Sequence, residues 1–143
     1  MKPTTVEQSK RLIELGLDPD TADMFYNPVM DIDNGSRANF LETPECMPFK
    51  EIKEHRELYM PAWSLEALLG LIPHTGFDGI ELNNYNDGKT IWTAIFHWGA
   101  EASPLRIGNS PLDAVYEIIV YLLENKYITK YEHNNSRAIK TSY

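Results

Sequence analysis

Residues 90–125 read TIWTAIFHWGAEASPLRIGNSPLDAVYEIIVYLLEN, and the fold turns on a change of period inside them. From Thr90 to Trp98 the side chains alternate with a period of two. Trp92, Ala94, Phe96 and Trp98 fall on one face; Ile91, Thr93, Ile95 and His97 fall on the other. Apolar residues occur on both faces, which predicts a central strand covered on both sides. From Ser110 onward the spacing becomes helical. Leu112, Val115, Ile119 and Leu122 make one stripe, and Ile118, Tyr121 and Leu123 widen it. Ser110 is a good N-cap, Pro111 suits the first turn, and Asp113 sits where negative charge favours a helix start. At ~1.5–3 kcal/mol per fully buried large side chain, this helix is expected to dominate the core. It should end near Asn125, with Tyr127-Ile128 packing back as an anchor, and Pro104 to Ile107 is expected to add a short edge strand.

Upstream, Gly79-Ile80-Glu81-Leu82-Asn83 alternates and Asn86-Asp87-Gly88 is a turn signal, so a hairpin leads into the strand at Thr90. Before it, Ser64 caps a helix with Leu65, Leu68, Leu69 and Ile72 on one side. Trp63 is placed to staple onto Leu68, and Pro73 closes the helix. Further back, a helix is expected from about Thr5 to Leu15. Its capping box is either Thr4 with Glu7 or Thr5 with Gln8, and Gly16 supplies the stop. Val6, Leu12, Ile13 and Leu15 form its apolar side, with Glu7/Arg11 and Lys10/Glu14 as i,i+4 pairs. One more turn follows, capped by Asp18, started by Pro19, continued through Thr21, Ala22 and Met24, and ended at Asn27-Pro28. Residues 29–60 read least clearly. Asn34-Gly35 signals a reversal between arms at 29–32 and 38–41, while Phe49 to Met60 fits a short helix or an irregular strand equally. The sum is one α+β domain over 1–128, a small antiparallel sheet packed by about three helices, with a polar, basic tail over 129–143.

Composition narrows the function classes. The chain of 143 residues has a hydrophobic share of 43%, a charged share of 24% and a formal charge of −8, which fits a globular domain and argues against non-specific nucleic-acid binding. Lys126, Lys130, Arg137 and Lys140 face only Glu132 in the last eighteen residues, a local +3 that leaves −11 on the rest. The absence of a long apolar run and the lone Cys46 point to a soluble, cytoplasmic, disulfide-free protein.

No common catalytic motif is present. The glycines form no phosphate-binding loop, and His55, His74, His97 and His133 lie far apart in sequence, so neither a metal nor a cofactor is expected. Cys46 could pair with His55 or His97, but the adjacent Glu45 raises a thiol's pKa, the wrong direction for a nucleophile. Asp31 and Asp33 lack the remaining pattern of a calcium loop, and Asp18, Asp20 and Asp23 read as helix-turn caps. The surface candidates are Trp92, Phe96 and Trp98 with Tyr85 and His97. Exposed aromatics of this kind anchor protein interfaces or stack nucleic-acid bases, but the nearby Asp78, Glu81, Asp87 and Glu101 outweigh Lys89 and Arg106. Core packing of this set is the favoured reading.

Three blocks carry a resemblance: Thr4–Ser9 running to Leu15-Gly16-Leu17 and Asp20–Met24; Pro61–Leu65 with Ala67-Leu68-Leu69; and Ser110–Ala114 through Tyr121–Asn125. With these the chain resembles a family of small proteins of Bacteroides-type genomes, their phages and prophages. The blocks span about a third of the chain, and 27–60 does not align. The resemblance implies a mobile-element accessory protein. It implies no reaction and supplies no functional residues.

The expectation is therefore a non-catalytic, phage- or prophage-associated interaction or regulatory module with a protein partner. A nucleic-acid accessory factor would instead use the sheet aromatics with Lys130, Arg137 and Lys140. A hydrolase-type enzyme would need His97, Tyr85 and Asp78 to converge. A homodimer through the 110–125 helix or the sheet edge is compatible with each.

Overall fold

The computed structural model describes residues 2–29, 39–72, 79–86 and 90–127. The chain is α+β, as its periods indicate. Helix α1 spans Val6–Glu14, α2 Leu65–Gly70 and α3 Pro111–Glu124. Strands β1 (Met24–Tyr26) and β2 (Met60–Ala62) form a two-stranded antiparallel sheet. The larger antiparallel sheet comprises β3 (Gly79–Asn86), β4 (Thr90–Trp98), β5 (Glu101–Ala102) and β6 (Arg106–Gly108), with β4 pairing all three others. The Asn34-Gly35 reversal, Pro73, the 87–89 turn, Ile128 and the basic tail lie outside the described residues. The arms of the reversal do approach each other, since Val29 N–H donates to Asn39 O at 3.0 Å and Leu41 N–H to Asn27 O at 2.9 Å.

Local capping chemistry places the helices. Thr5 and Gln8 close the capping box of α1 reciprocally. The Thr4 hydroxyl is used differently. It is fully buried, sits 2.8 Å from Ser9 Oγ, and accepts from the Trp63 N–H at 3.0 Å. Both α1 and α3 end in a Schellman motif. Leu17 N–H reaches Leu12 O with Gly16 at φ 99°, and Tyr127 N–H reaches Leu122 O with Lys126 at φ 62°. Ser64 caps α2 through the Ala67 N–H, and its own hydroxyl and N–H donate to Asp23.

Two expectations need correction, and one open alternative is resolved. The turn at Asp18 stops after a 3-10 segment, Pro19–Thr21, and Met24–Tyr26 is strand rather than helix. All three residues are buried, and pairing with Met60–Ala62 gives their backbone groups partners that a frayed helical turn would lack. Residues 49–62 hold both options: 3-10 turns at Phe49–Glu51 and Arg56–Leu58, then β2. Arg11, expected to pair with Glu7, instead reaches Glu124 of α3 at 2.8 Å, tying the first helix to the last.

The core lies between α3 and the rest. Leu12, Trp63, Leu68, Val115, Ile118, Ile119 and Leu122 are fully buried in one cluster that also takes in Ala94 and Phe96 of β4. Trp63 Nε1 donates to Thr21 Oγ1 at 2.9 Å, so the largest core side chain is also satisfied. Helix α3 comes so close to β6 that a Cβ on Gly108 would lie 2.5 Å from Ala114 N.

Candidate functional site

Strand alternation divides β4 into two faces with different fates. Toward α3 it presents Trp92, Ala94, Phe96 and Trp98. Ala94 and Phe96 are buried, and the two tryptophans pack half-buried against the same cluster. Phe96 stacks on Trp98 at 5.4 Å, Trp98 meets Tyr127 at 5.0 Å, and the Arg106 guanidinium lies over Tyr121 at 5.5 Å. Tyr127 thus packs back as its sequence suggested. The other face belongs to Glu81, Asn83 and Tyr85 of β3, Ile91, Thr93, Ile95 and His97 of β4, and Ile107 of β6. The register sets Tyr85 opposite Ile91, Glu81 opposite Ile95, and Thr93 between Asn83 and Ile107.

Among the described residues no helix gives this second face the cover expected on both sides. Its alternation is apolar enough for burial, yet the helix packed on the sheet is α3, which meets β4 and β6 from the first face. Tyr85 is 56% exposed and Ile107 61% exposed, with Leu105 exposed at the entry to β6. Ile91 and Ile95 are half-buried between them. Thr93 is only 4% exposed, and its hydroxyl has no hydrogen-bond partner. At one end, Glu81 accepts from Asn83 Nδ2 at 2.8 Å and lies 3.1 Å from His97 Nε2. The hydrogen bond from Asn83, then that with His97, holds the Glu81 carboxyl below its ordinary pKa.

The five aromatic and histidine candidates therefore do not form one site. Trp92, Phe96 and Trp98 face the core, leaving no stacked platform for bases, while Tyr85 and His97 share the outer face. Those two stand at opposite ends of it. Ile91, opposite Tyr85, and His97 are six residues apart along β4, about 20 Å at ~3.3 Å per residue. Such a distance rules out a shared acid–base centre, and Asp78 falls outside the described residues. Cys46 is exposed. The aspartates act as structural groups: Asp18 accepts from the Asp20 N–H, Asp20 pairs with Arg56, and Asp23 binds Ser64. Among the described residues no three His, Cys, Asp or Glu side chains gather to hold a metal, and no helix is long and apolar enough to cross a membrane.

Two clefts lie elsewhere on the surface. One, of about 610 Å³, is walled by Ile13, Pro19, Phe49, Tyr59 and Met60, with Arg56 stacked 4.7 Å over the Phe49 ring. The other, of about 730 Å³, lies where α1 and α3 begin and are joined by the Gln8–Asp113 hydrogen bond at 2.9 Å. Glu42 and Asp113 line it, which disfavours an anion at those helix starts. Neither cleft assembles a nucleophile with a base. The residue that sequence reasoning missed on the exposed face is Ile107. The alternation of Arg106 and Ile107 in the expected edge strand was its only signal.

No protein-family model, no curated protein and no solved structure matches the chain.

Proposed function

We propose that the protein is a non-catalytic protein-binding module whose docking surface is the outer face of the β3–β4–β6 sheet. The observation that carries this reading is the exposure of Tyr85 and Ile107 on a face whose other members include Ile91 and Ile95. Apolar groups gathered on one sheet face lower their free energy by meeting another apolar surface, and tyrosine is a frequent anchor in such contacts. The Glu81–His97–Asn83 cluster gives the face a polar end that would fix the orientation of a partner. An acidic chain with its sheet tryptophans turned inward favours a protein over a nucleic acid. The cytoplasm is the proposed site of action, in keeping with a single exposed cysteine, and a phage or prophage accessory role follows from the sequence resemblance.

The test is capture from host lysate on the tagged full chain with nuclease present, comparing the parent with Ile107→Glu and with Leu41→Glu as a control. Leu41 is exposed but lies outside this sheet. A stoichiometric protein retained by the parent and by Leu41→Glu, and lost with Ile107→Glu, supports the reading. Capture unaffected by Ile107→Glu, or abolished by nuclease, overturns it.

A further inference from the structure

The cleft of about 610 Å³ lies between α1 and the stretch from Phe49 to Pro61, and no residue of the larger sheet lines it. Contacts within the chain hold its walls in place. Phe49 is 4% exposed and donates its N–H to Ala22 O at 3.1 Å. The Tyr59 ring stands edge-on to Phe25, with centroids 5.6 Å apart. Arg56 lies over the Phe49 ring and pairs with Asp20, so its charge is matched inside the protein. Apolar surface is nevertheless left open there. Ile13 of α1 is 37% exposed and Met60 is half-buried, and both line the cleft. A concave, largely apolar space of this size falls within the ~300–1,000 Å³ typical of small-molecule sites.

Charge decides which kind of molecule the space suits. Lys10, Glu14 and Glu57 also line the cleft; all three are exposed and make no ion pair among the described residues. One lysine against two glutamates leaves a single negative charge unmatched beside an apolar space. The net charge of −8 adds a long-range field of the same sign, which gathers cations and turns anions away. We propose that this cleft binds a small amphipathic amine. Its apolar body packs against Ile13, Pro19, Tyr59 and Met60, and its ammonium group is held by the carboxylates of Glu14 and Glu57. A carboxylate of the same shape would meet those two glutamates with only Lys10 in its favour, because Asp20 already engages Arg56. A neutral molecule would gain the apolar contact alone. This site is separate from the outer sheet face and does not rest on the docking proposed there.

The test is an NMR titration of the full chain, read at the Met60 methyl, with tryptamine, tryptophol and indole-3-propionate. These three carry the same indole body with a positive, a neutral and a negative end. Tryptamine should saturate the signal and bind at least about threefold more tightly than tryptophol, with indole-3-propionate the weakest. Added salt should weaken tryptamine and leave tryptophol unchanged. Glu57→Gln should weaken tryptamine by about threefold, and Lys10→Gln should strengthen it by a similar factor. Both side chains are exposed and unpaired among the described residues, so the unfolding midpoint should not move in either variant. Ile13→Ser should weaken tryptamine and tryptophol alike, as loss of apolar contact requires. No saturable shift with tryptamine, equal affinity for the three molecules, or a Lys10→Gln variant that binds tryptamine more weakly overturns the proposal. None of these results depends on whether Ile107→Glu abolishes protein capture, so each proposal can fail alone.

Discussion

The two faces of β4 are built from the same alphabet and end in different environments. Trp92, Ala94, Phe96 and Trp98 meet α3 and its seven buried side chains, while Ile91, Ile95 and the neighbouring Tyr85 and Ile107 meet no helix among the described residues. Apolar alternation establishes that a face is able to be buried. It does not establish that the chain itself supplies the cover. The inner face holds the fold, and the outer face is the one on which the proposed docking rests.

That division is open to attack by substitution. Phe96→Ala should cost about 3–5 kcal/mol in urea unfolding, because it empties a site enclosed by α3. Gly108→Ala should cost about 1–3 kcal/mol, since the added Cβ meets backbone of α3 and not a yielding side chain. On the outer face the sign reverses. Thr93→Val replaces a buried, unpartnered hydroxyl with a methyl of similar size and should be neutral or stabilise by up to about 1 kcal/mol. The smallest effect concerns pH. The folded Glu81 carboxyl has a lowered pKa, so its contribution is present above the unfolded pKa and fades as pH falls through the folded value. Asn83→Ala should raise the Glu81 titration midpoint in an NMR carboxyl titration, with little change in stability because the group is exposed.

How much of this was legible in the chain depends on whether the deciding interaction is local. Ser110, Ser64 and the Thr5–Gln8 box could be read because a cap bonds within three residues of itself. The hairpin itself followed from alternation on either side of Asn86-Asp87-Gly88, but not its register, in which Asn86 is already a strand residue opposite Thr90. Strand β1 was misread as helix because three residues carry no period, and what makes them strand is Met60–Ala62, far along the sequence. Arg11 was assigned to Glu7 by helical spacing, whereas tertiary packing brings Glu124 closer to hand. The candidate site was half legible. The two faces of β4 were sorted correctly by period, but Tyr85 and His97 had been grouped with residues that the pleat sends to the opposite side.

The central claim, an outer sheet face that the fold does not need, is tested most directly by the urea unfolding of Tyr85→Thr/Ile107→Thr. Threonine keeps strand propensity while removing the exposed apolar surface. The double variant should unfold within about 1 kcal/mol of the parent, as surface substitutions do. A loss of several kcal/mol would mean that the chain covers this face itself, and the docking surface would not exist.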